Sequence, residues 1–90
     1  MRDHQNLRNI VDQDPRYTIE AYIFVLEALQ YTRKRIRAKG HVTGRQLLQG
    51  IKELALERYG SMAKMVFEHW GVAKTIDFGN IVINMVNKRI

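Results

Sequence analysis

Apolar side chains recur along the chain in five stretches with helical spacing, separated by short polar or glycine-containing breaks. Leu7, Ile10 and Val11 predict a short first helix or arm over residues 1–14. It should stop at Asp14-Pro15, because the residue before a proline is pushed out of helical space. From Thr18, a candidate N-cap with Glu20 in the first turn, residues Ile19, Tyr22, Ile23, Leu26, Leu29 and Ile36 keep a helical period. Phe24, Val25 and Ala28 spread that apolar stripe round most of the circumference. The pattern predicts a central helix over residues 18–38, roughly 30 Å long, buried by neighbours on several sides. Its last two turns turn cationic and should project into water, with Gly40 as the C-cap.

Thr43-Gly44-Arg45-Gln46 has the spacing of a capping box and marks a third helix, whose apolar face is Leu47, Leu48, Ile51, Leu54, Ala55 and Tyr59. Gly60-Ser61 reads as a stop followed by a new N-cap. Met62, Met65, Val66, Phe67 and Trp70 then read as the core side of a short fourth helix closed by Gly71. Thr75 is the expected cap of a fifth helix, with Asp77 in its first turn. Phe78, Ile81, Val82, Met85 and Val86 form its inward stripe, and Asn80, Asn84 and Asn87 form a polar outer face. No pair of alternating apolar runs joined by a hairpin turn is present. The fold class expected is all-α: a single domain over residues 1–90, a compact bundle of four to five helices with a long central helix.

Ninety residues suffice for one modest core. The absence of cysteine excludes disulfides and thiolate metal sites, and nothing marks an oxidising compartment. The N-terminal residues lack a signal-peptide apolar region, and the longest apolar run, Ala21 to Leu26, is far too short for a membrane span. A cytoplasmic protein with no membrane partner is therefore expected.

Charge changes the picture more, because the net value of +6 is concentrated. Residues 28–52 hold seven cations (Arg33, Lys34, Arg35, Arg37, Lys39, Arg45 and Lys52) and no acid, whereas the remaining eight bases are outnumbered by nine acids. A localised excess of this kind is what an electrostatic docking surface requires.

Reactive groups are sparse. Ser61 is the single serine, and its place at a helix start suits a cap better than a nucleophile. Glu53 and Glu57, one turn apart, could approach Glu68-His69, but bundle di-iron sites need a Glu-x-x-His unit from each of two helices and none is present. A solvated face pairing with Lys52 and Arg58 is the preferred reading there, and a C-terminal helix position that of His69. His4 is assigned no role. No catalytic residue, metal or cofactor is expected, and the chain is read as a non-enzyme. Residues 44–70 have the rhythm of a helix-turn-helix, but the second helix should offer its Met and aromatic side chains to the core rather than polar groups to base edges. The Asn row could read adenine, yet it is not interleaved with cations, and Ile83 nearby admits a partner surface.

The candidate binding residues are therefore Arg33, Lys34, Arg35, Arg37, Lys39 and Arg45. Arg33 and Arg37 are placed on one helical face, and His41 continues the run. The leading expectation is a small binding module contacting the phosphates of RNA, a ribonucleoprotein or DNA without reading sequence. The alternative is a protein-interaction or dimerisation domain, taking an acidic partner segment on the same face or using Ile83 and its neighbours. A solvated helix end without a partner is the plain structural reading.

The combination Asp14-Pro15-Arg16-Tyr17, Ala21-Tyr22, Phe24-Val25, Glu27-Ala28-Leu29, Tyr31-Thr32, His41-Val42, Gly44, Gly50-Ile51, Tyr59-Gly60, Met62-Ala63, Trp70-Gly71-Val72 and Asp77-Phe78-Gly79 resembles an uncharacterised bacterial family largely restricted to planctomycetes and verrucomicrobia. The resemblance covers most of the chain. It implies a helical fold and a bacterial cytoplasm, and it carries over no activity, cofactor or site residue. Members of that family continue with an acidic, aromatic-containing tail, whereas this sequence stops at Asn87-Lys88-Arg89-Ile90; such a tail, where present, would cover the basic segment.

Overall fold

The computed structural model describes residues 2–88, which form five α-helices and no strand. Helix α1 (Arg2–Gln13) buries Leu7 and Ile10 and is ended at Asp14-Pro15 as its sequence requires. Helix α2 (Ile19–Ile36) is the central element, about 27 Å long at the usual rise. Ala21, Tyr22, Phe24, Val25, Ala28 and Thr32 are buried along it, and α1, α3 and α5 all pack against it. The radius of gyration, 12.7 Å, is close to the ~12 Å expected of one packed body this size.

The end of α2 differs from expectation. The helix stops at Ile36, because Arg37 adopts a left-handed backbone (φ 52°, ψ 48°) and the Ala38 N–H turns back to the Arg33 carbonyl at 3.0 Å. Arg37, not Gly40, is the C-cap, so it leaves the helical face on which Arg33 had been placed. Gly40 instead offers its carbonyl to the Arg33 Nη1 at 2.9 Å, which ties the following loop back to α2.

Helix α3 (Gly44–Tyr59) begins in the capping box expected of it: the Thr43 hydroxyl accepts from the Gln46 N–H (3.1 Å) and the Gln46 side chain accepts from the Thr43 N–H (2.9 Å). Ile51, Leu54 and Ala55 are buried against α2 and its neighbours. The two helices approach closely at Gly50, where an added methyl would overlap the Thr32 Oγ1.

A 3₁₀ turn (Gly60–Met62) leads into α4 (Ala63–His69), which packs on α3. Ser61 lies inside that turn and caps nothing; the residue at the N-cap is Met62. Met62 and Met65, expected in the core, are 51% and 60% exposed. Two helical turns can bury one face only, and that face belongs to Ala63 and Phe67, with Trp70 just beyond. Phe24, Phe67 and Trp70 pack at tilted or edge-on angles with centroids 5.4 to 5.7 Å apart, and Phe78 meets Phe67 edge-on at 5.2 Å.

Helix α5 (Thr75–Asn87) buries Phe78, Ile81 and Met85, but Val86 is exposed. Its cap is not the Thr75 side chain. Asp77 reaches back to accept from the Ala73 and Lys74 N–H groups at 2.8 and 2.9 Å, which satisfies two donors otherwise left open at a helix start.

Candidate functional site

Three surfaces merit a chemical reading, beginning with the basic run. Lys34, Arg37, Lys39 and Arg45 are exposed and make no ion pair among the described residues. The other two candidates are engaged locally. Arg33 holds the Gly40 carbonyl, and Arg35 Nε lies 2.7 Å from Glu53 Oε1. Glu53 lies one position beyond the stretch that is free of acids in sequence, yet the α2–α3 packing brings it back over the cations. It also accepts from Gln49 Nε2 (2.9 Å) and from the Tyr31 hydroxyl (3.1 Å). The Gln49 bond first, then Tyr31 and Arg35, hold its carboxyl below the usual carboxylate range. Arg58, expected to pair along α3, instead reaches Glu27 on α2 at 2.8 Å. Of the six expected cations, four make no such contact among the described residues, and they run from the end of α2 through the loop to the start of α3.

The second surface is a polar seam that the sequence reading missed. The Tyr17 hydroxyl donates to Asp77 Oδ1 (2.6 Å) and accepts from Asn80 Nδ2 (3.0 Å). Asn84 Nδ2 serves both Asp14 Oδ2 (3.0 Å) and the Tyr22 hydroxyl (3.1 Å), while Arg16 forks onto both oxygens of Asp14 at 2.7 and 2.8 Å. Asn80 and Asn84 are therefore not an outer face. They fasten α5 to the α1–α2 connection. Burial pushes the Tyr17 and Tyr22 phenols up. The Arg16 fork, with help from Asn84, holds Asp14 far below the carboxylate range, and the Tyr17 bond lowers Asp77. A neutral phenol between a satisfied carboxylate and an amide is a tie rather than an activated acid or base.

The third surface is a groove. Helices α3 and α5 both lean on α2 and leave between them two adjoining hollows of about 680 and 490 Å³ that share Leu48, Ile51, Thr75 and Phe78. Ile51 and Phe78 form the floor. Leu48 and Leu56 on α3, and Ile76 and Ile83 on α5, stand exposed along its edges. Ile83 was singled out from sequence; the other edge residues were not. The signal was present as a surplus, since Leu47-Leu48 and Ile81-Val82-Ile83 carry more apolar positions than one buried stripe uses.

The exposed side of α4 carries Lys64, Met65 and Glu68, a mixture without the array of amides or guanidinium groups that reads base edges. Among the described residues no three His, Asp or Glu side chains gather closely enough to hold a metal ion, and no helix is long and apolar enough to cross a membrane. His4 lies outside the residues whose side chains are described. No family model matches the chain, and no curated protein or solved structure matches it either.

Proposed function

We propose that the chain is a non-enzymatic binding module that docks on nucleic-acid phosphates, in RNA or a ribonucleoprotein first, through Lys34, Arg37, Lys39 and Arg45. The observation that carries this reading is Arg37. A left-handed backbone costs an L-residue about 1 kcal/mol, and glycine would take it freely. That this chain places a cation at the exposed turn, between Lys34 and Lys39, supports a use for charge there rather than a need of the fold. Tyr31 is half-buried against the core with its hydroxyl bonded to Glu53, which favours backbone contacts over base stacking. A cytoplasmic setting, and kinship with the planctomycete and verrucomicrobial family, belong to the same proposal.

The test is fluorescence anisotropy of labelled generic RNA and DNA with the 90-residue chain at several salt concentrations. Four neutralised phosphates give a log–log salt slope of about −3 to −4. Lys34→Glu with Arg37→Glu removes the binding. Absent binding at low salt, or binding indifferent to salt, sinks the reading. The alternative, a protein-interaction domain, draws its support from the groove between α3 and α5.

A further inference from the structure

We propose that the groove between α3 and α5 is a docking site for an amphipathic helix of another protein, one that carries acidic residues along the edge facing α3. The groove shares Arg45 with the basic run but does not rest on the phosphate reading. Its first support is apolar area without cover. Ile76 and Ile83 are 68% and 57% exposed on α5, and Leu56 is 58% exposed on α3. They edge a trough whose floor is the buried pair Ile51 and Phe78, so the core is continued to the surface rather than closed over. Exposed apolar strips of this form mark interaction sites, and a trough between two helices suits a third helix laid into it.

Charge decides what kind of helix. The two hollows are lined by two cations, Arg45 and Lys52, and by no acid. Both cations belong to α3 and are seven residues apart, about two turns or 10 Å along one face. The α5 edge, Ile76, Gly79 and Ile83, is uncharged. A helix lying along α3 therefore meets positive charge on one side only, and acids at positions i and i+7 answer it. Between them its apolar side chains reach the floor, and the open space above Gly79 leaves room for a large one. A second copy of the chain fits poorly, because a two-fold contact would set Arg45 and Lys52 against themselves on a molecule of net charge +6. A phosphate backbone has no use for the apolar floor.

The probe is a fluorescein-labelled 18-residue amphipathic peptide in two forms with the same leucines, one with Glu at i and i+7 and one with Lys. Titrated with the full chain, the Glu form binds about tenfold or more tighter than the Lys form. Ile83→Asp weakens the Glu form by about tenfold or more, and Lys52→Glu, which sets one new acid against the remaining Arg45, removes most of the preference between the peptides. Ile83 and Lys52 are both exposed, so these variants keep the fold, which circular dichroism verifies; Ile76→Asp is the second groove variant. The double variant Lys34→Glu with Arg37→Glu leaves peptide affinity within about twofold, since neither residue lines the groove. Equal affinity for both peptides, or no effect of either groove variant, overturns the proposal. So does loss of peptide binding in the Lys34→Glu, Arg37→Glu chain, or a dimer in sedimentation velocity that Ile83→Asp dissociates.

Discussion

Two strips along α5 differ in how they are used. On one, Asn80 and Asn84 enter a seam in which two phenols, two carboxylates, an arginine and two amides satisfy one another. On the other, Ile76 and Ile83 stand in the open beside a trough. A fold usually buries its apolar helix face and leaves the polar one wet. Here part of the polar face is enclosed and part of the apolar face is not. Enclosed polar groups hold only where geometry is met group by group, so the seam fixes how α5 sits, while the apolar strip adds nothing to that fixing and is free for other use.

Gly71 has φ 88°, and an added methyl would run into the Arg16 carbonyl. Gly71→Ala should cost about 3 kcal/mol in urea unfolding, through strain and overlap together. Asp77→Ala removes the Tyr17 acceptor and the α5 cap at once, and about 2 kcal/mol should be lost.

The seam also sets a pH dependence. Asp14 and Asp77 titrate lower in the fold than the value of about 3.9 usual for an unfolded chain. Their contribution is complete above about pH 4 and is lost as the pH falls through their folded values. Tyr17 and Tyr22 are raised, so theirs is present below about pH 10 and lost at higher pH. Urea midpoints at pH 3, 5, 7 and 11 should trace both limbs, and Asp77→Ala should flatten the acid one.

Smaller effects sharpen the contrast. Arg37→Gly should gain up to about 1 kcal/mol of stability by relieving the left-handed cap, while polyanion affinity falls in the anisotropy assay. At the groove, Ile83→Asp should move the urea midpoint by less than about 0.5 kcal/mol. A loss comparable to that of Asp77→Ala would mean that the strip belongs to the fold after all.

The helix pattern was largely legible because its signals are local. Pro15 stops α1, Thr43 and Gln46 start α3, and the stripe of Phe78, Ile81 and Met85 orients α5. The misses have other causes. Arg37 does at the end of α2 what a glycine normally does, and no residue type announces that. Asn80 and Asn84 looked like an outer row because periodicity separates polar from apolar faces but does not say which polar face meets Asp14, Tyr17 and Tyr22, more than sixty residues upstream. Glu53 discharges Arg35 only once α2 and α3 lie together. The candidate site was visible as charge, and its trimming to four residues was not.

Gly50 carries a mechanical consequence. With no side chain there, the α3 backbone rests on Thr32, whose hydroxyl is itself bonded to the Ala28 carbonyl at 2.7 Å. The two longest helices are pinned near the middle of α3, with the trough running to either side. A guest wedged into one end of the trough only would turn α3 about that point like a seesaw. Its two ends, one at the basic loop and the other at α4, would then move in opposite directions.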